Sequence, residues 1–150
     1  MKRLCKLLLP SFLFVAVTAT AQDDVFKALV SAKSLKCEFG PGSVGKWSGA
    51  NVTVQRDTFD VTLHFDSINA QAGKARLIGN QGAADVAVLL SSGSITFVEQ
   101  TGAGNFAFTT IFPERVPGTD EFYVVTSRHM VLLSGRPLAS QYHGKCKVWQ

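Results

Sequence analysis

The sequence predicts an all-β fold: a single-domain antiparallel barrel or sandwich of about eight to ten short strands, preceded by one short helix. Apolar residues recur with a period of two, most cleanly from Phe59 to Asp66, where Phe59, Val61, Leu63 and Phe65 share one face. Gly- and Ser-rich breaks separate such runs at near-regular intervals. Two cysteines, Cys37 and Cys146, stand in the first and last runs, so a bond between them would tie the two ends of the fold together.

The N-terminus reads as an export signal. Basic Lys2, Arg3 and Lys6 precede an apolar run from Leu7 to Val17, and Ala19-Thr20-Ala21 supplies the small residues a signal peptidase needs. The apolar run is short for a membrane span, so no stable span is expected once the signal is cut. Residues 1–21 are therefore expected to be removed, leaving 22–150 as one all-β domain. Cys5 leaves with the signal, and the remaining pair in an exported chain points to a disulfide. The formal charge is +4, and Lys2, Arg3 and Lys6 supply three of it, which leaves +1 on the domain. That balance gives no reason to invoke nucleic acid.

Along the domain, Asp23 and Asp24 can start a helix that places Phe26, Leu29 and Val30 on one face, as a plug on the end of a sheet. From Ser34 the period changes to two, with Leu35, Cys37 and Phe39 on one side. Gly40-Pro41-Gly42 is expected to end that strand and open a loop through Gly49. Further strand-like runs are Asn51–Arg56, Phe59–Asp66, Lys74–Ile78, Val86–Leu90, Ile95–Glu99 and Phe106–Phe112, the last stopped by Pro113. Phe122–Ser127, Met130–Leu133 and a closing run from Tyr142 to Trp149 complete the set. Val86–Leu90 is uniformly apolar, which predicts a central strand or one covered on both faces. No linker or internal repeat divides the chain.

The residues that carry chemistry form no recognised catalytic or cofactor pattern. No Gly-x-Ser-x-Gly stands in a strand–turn–helix setting, and no Gly-rich loop leads into a helix. No Cys-x-x-Cys or histidine cluster marks a metal site, so neither cofactor nor metal is expected. Asp60, His64 and Asp66 share a polar strand face that could hold a divalent ion, but a solvated strand produces the same pattern. Arg128 offers a planar fork of donors for a carboxylate or phosphate and stands beside His129 in a link between two strands. His143 is expected on the outside, opposite Cys146 in the alternation. The phenylalanines of the domain fall largely in phase with the strands, where they either fill a core or line an apolar cavity.

Gly45-Lys46-Trp47 resembles the Gly-x-Trp found near the first strand of lipocalins and related eight-stranded barrels. A longer likeness runs through Ala75–Asn80, Ile95–Glu99, Gly104-Asn105, Thr109–Phe112, Ser127–His129 and Ser140–Cys146. Together these resemble a group of small exported bacterial proteins of uncharacterised function. The resemblance implies an exported location, periplasmic or secreted, and an all-β fold, with no catalytic residue to carry over.

The expected function is a non-catalytic binding module for a small apolar or amphipathic ligand. Trp47, Arg128 and His129 are the candidate contacts with a ligand or partner. One alternative is an envelope-associated protein that acts through its surface on an envelope partner; its mark is an exposed apolar patch or a free strand edge. A second is a small hydrolase or metalloenzyme, which would bring two of His64, His129 and His143 together in one cleft. Oligomeric state leaves no mark in the sequence.

Overall fold

The structure is a computed structural model that describes residues 18–80, 82–101, 104–131 and 135–149. The expected signal peptide lies outside the described residues up to position 17. One helix, α1 (Thr18–Ser31), precedes nine strands: β1 (Leu35–Ser48), β2 (Asn51–Thr58), β3 (Thr62–Asn69), β4 (Lys74–Gly79), β5 (Gly82–Ser91), β6 (Ser94–Gln100), β7 (Phe106–Arg115), β8 (Phe122–Val131) and β9 (Pro137–Val148). All pairings are antiparallel in one sheet of order β2-β1-β3-β4-β5-β6-β7-β8-β9, and β1 also pairs with β9, so the sheet closes on itself. Of the two architectures the alternation allowed, the chain adopts the barrel.

Closure depends on β1, which runs along β9 for nearly its whole length. On its other edge Leu35–Glu38 pair with β3, while Pro41–Ser48 pair with β2. The expected loop at 40–49 is therefore strand. The glycines there serve a bulge between Phe39 and Gly42, where a Cβ on Gly42 would run into the Gln141 carbonyl and the Tyr142 side chain. The β1–β2 hairpin turns at Gly49-Ala50, with Gly49 at φ 64°. Beyond its pairing with β1 the β2 edge is free, and every residue of β2 is exposed.

Cys37 and Cys146 face each other in register across the closing seam and form a disulfide spanning 109 residues of sequence. Both are fully buried, in a core that includes Leu29 from α1, Leu35, Phe65, Ile95, Phe97, Ile111, Phe122 and Val124. Phe65 and Phe97 stack at the centre with ring centroids 3.9 Å apart. α1 covers the barrel end that carries the first residues of β1 and the last of β7, and Gln22 Nε2 donates to the Pro113 carbonyl at 2.9 Å. The expected plug is thus present. Thr18–Ala21 are part of α1, so cleavage after Ala21 would fall inside it.

Other expectations are corrected by the strand register. β5 is central, between β4 and β6, but covered on one face only: Val86 and Val88 are buried, whereas Ala87 and Leu89 on the other face are exposed. β7 passes through Pro113 to Arg115, with an irregularity that absorbs the missing N–H. The runs at 122–127 and 130–133 belong to one strand as far as Val131, because Arg128 and His129 keep the ladder with β9 intact; Leu132 and Leu133 lie outside the described residues.

Candidate functional site in the barrel mouth

Among the described residues, nothing covers the barrel end away from α1. Large side chains fill the inner face near the helix, but toward the other end the inward positions become small. Ala84 on β5 and Ala107 on β7 stand where lower layers carry Val86 and Ile111. The room they leave is a cavity of about 380 Å³ lined by apolar Phe59, Val61, Leu63, Leu77 and Met130 and by polar Asn80, Thr101, Asn105 and Thr126. At its base the buried hydroxyls of Thr109 and Thr126 satisfy each other at 3.0 Å.

Two charged side chains also reach this space. Period two along β8 buries Phe122, Val124 and Thr126, and the same phase points Arg128 inward. Its guanidinium lies over the Phe59 ring, 4.7 Å from the centroid, and Phe59 in turn stacks on Tyr142 at 5.0 Å. On β6 the phase of Ile95 and Phe97 carries Glu99 inward. Glu99 pairs in register with Ala107, and Ala107 with Arg128, so the two charges stand two strands apart across one small residue. Neither forms an ion pair among the described residues.

The mouth wall is fastened where β2 leads into Phe59. Tyr142 donates its phenolic proton to Asp57 Oδ2 at 2.6 Å. That bond is the main cause holding the Asp57 carboxyl below its usual range, helped by the Thr58 amide. Tyr142 moves up, first through burial and then through its bond to Asp57. Arg136 donates to the Gly49 carbonyl and so holds the hairpin tip beside the start of β9.

The three candidate contacts do not meet in one place. Arg128 lines the mouth. Trp47 and His129 lie on the opposite, outer face, in a shallow groove of about 440 Å³ shared with Gly45, Val52, Phe106 and Ala139. Adjacent positions on a strand point to opposite faces, which is why Arg128 and His129 separate. Glu99 was absent from the sequence reading, although the Ile95-x-Phe97-x-Glu99 alternation carried the signal.

His64 packs on Trp149 with ring centroids 5.7 Å apart, and His129 packs on Phe108 at the same separation. His143 aligns with Val125, four residues along β8 from His129, or about 13 Å. The convergence a histidine-based hydrolase or metalloenzyme needs is therefore not formed, and no group of three or more His, Cys, Asp or Glu converges among the described residues. No described helix is long and apolar enough to cross a membrane. No protein-family model, curated protein or solved structure matches the chain.

Proposed function

We propose that this chain is an exported, disulfide-closed β-barrel that binds a small apolar or amphipathic ligand in its open mouth, with no cofactor and no catalytic residue. The observation that carries the reading is the cavity itself: walls of mixed apolar and polar side chains, one plugged end, an end left open by the described residues, and a pair of charges at the opening. A pocket of this size, in which apolar side chains alternate with polar groups that can fix a ligand's orientation, is a form small-molecule sites take. The signal-like N-terminus and the disulfide support export to a periplasmic or extracellular compartment.

Native mass spectrometry of protein taken from its own export compartment, with uptake of neutral N-phenyl-1-naphthylamine, tests this. A retained small molecule or dye uptake abolished by Ala107→Phe supports it. A bare mass with no dye uptake overturns it.

A second reading, interaction through the surface with an envelope partner, draws on the outer face. Trp47, Val52, Val54, Phe106 and Val131 are exposed there, and β2 offers a free edge for strand addition. Trp47→Asp would abolish partner capture in a pull-down under this reading and leave dye uptake intact.

A further inference from the structure

The two charges in the mouth define the ligand more narrowly than the apolar walls do. Arg128 and Glu99 face one cavity of about 380 Å³, and neither is neutralised by a described side chain. A charge at the rim of an apolar cavity loses hydration when a ligand covers it, and the loss is recovered only when the ligand brings the opposite charge. A purely apolar ligand would cover both charges without compensating either. A simple anion would satisfy Arg128 and place its own charge near Glu99, and a simple cation would do the reverse.

We propose that the mouth is built for a small ampholyte, one molecule carrying an oxyanion and an ammonium on an apolar body. The oxyanion pairs with Arg128, whose guanidinium packs over the Phe59 ring and offers a planar fork of donors. The ammonium pairs with Glu99. Two strand spacings separate the backbones of these residues, about 10 Å, and the inward reach of both side chains shortens this to the span between the ends of a short extended molecule. Ala107, between them in register, leaves room for the molecule's body, which rests on Leu63, Leu77 and Thr126. A short peptide with free termini is the simplest molecule of this chemistry.

This inference rests on the mouth being the binding site, and the test separates the two. Isothermal titration of the mature chain compares the dipeptide Leu-Leu with its N-acetylated form, an anion only, and its C-terminal amide, a cation only. Leu-Leu is expected to bind at least tenfold more tightly than either capped form. Glu99→Gln should weaken Leu-Leu about tenfold and tighten the acetylated form, whose carboxylate it no longer repels, and Arg128→Gln should weaken both. Equal binding of the acetylated form and Leu-Leu would remove Glu99 from recognition and overturn the ampholyte, with the binding function intact. If none of the three binds while N-phenyl-1-naphthylamine still enters, the ampholyte is again overturned alone. If the dye also fails to enter, the mouth is not a binding site and both readings fall.

Discussion

Tyr142 and Asp57, 85 positions apart in sequence, are joined by a 2.6 Å hydrogen bond that ties the exposed β1–β2 hairpin to the closing strand β9. Tyr142 is buried against Phe59, and Asp57 comes from a strand with no buried residue. Little apolar packing holds β2 in place, so a single polar tie carries more of its position than it would in a core strand. Because Phe59 follows β2 directly and lines the mouth, this bond also fixes one wall of the cavity.

Tyr142→Phe should therefore raise amide exchange in β2 selectively and lower the thermal midpoint by a few degrees. The folded Asp57 pKa lies below its unfolded value, so its share of stability is present above about pH 4 and is lost as pH falls through the lowered folded value. The folded Tyr142 pKa lies above its unfolded value; its share is present below about pH 10 and is lost as pH rises through the raised value. In the Phe variant the alkaline loss should vanish and the acid loss should shrink. An unchanged pH profile would show that the tie contributes nothing.

What the sequence revealed and what it hid follow from one physical fact: period two reports a strand's faces but not its partners. The alternation from Phe59 to Phe65 and the positions of Cys37 and Cys146 were enough for the barrel's inward faces and its seam. The bulge at Phe39–Gly42 reads as a break because its glycines resemble a turn, whereas they are needed for close approach of β1 to β9. Arg128 was legible in principle, since Phe122, Val124 and Thr126 set its phase. It was named as a candidate contact, but the polar Ser127-Arg128-His129 triplet hid its inward phase by looking like a link. That Glu99 and Arg128 face each other across Ala107 depends on inter-strand register, which no single strand encodes.

Removing the disulfide should be costly. Closing a loop of 109 residues contributes about 4–5 kcal/mol in the chain-entropy model, and the bond sits at the seam that turns a sheet into a ring. Cys37→Ala with Cys146→Ala should lower the midpoint by roughly 10 °C or more under oxidising conditions. Reductant should bring the wild type close to the variant. A double variant that melts with the wild type would mean that the seam is held by its hydrogen bonds alone.

The Phe65–Phe97 stack lies in the core beneath the mouth, and both rings are almost completely buried. Phe97→Ala should cost about 3–5 kcal/mol, read by urea unfolding, as transfer and cavity terms add. Phe106, on the outer face, is exposed, and its replacement by Ala should cost well under 1 kcal/mol. Comparable losses at both sites would contradict the inside–outside assignment of β6 and β7.

Gly144 shows how closely the seam is packed. It pairs with Phe39 beside the bulge, and a Cβ there would strike the Glu38 carbonyl and come within 2.9 Å of Phe39 Cδ1. The Phe39 ring could turn aside, but the carbonyl belongs to the backbone that pairs β1 with β9, so it cannot give without loosening the ladder. Gly144→Ala should therefore cost about 1–3 kcal/mol although the position lies mid-strand, where Ala ordinarily gains over Gly. Gly93, in the β5–β6 turn with open space around it, provides the contrast, and Gly93→Ala should stay within about 0.5 kcal/mol. Urea midpoints for the two variants settle the matter. A neutral Gly144→Ala would mean that β1 and β9 lie farther apart than the register requires.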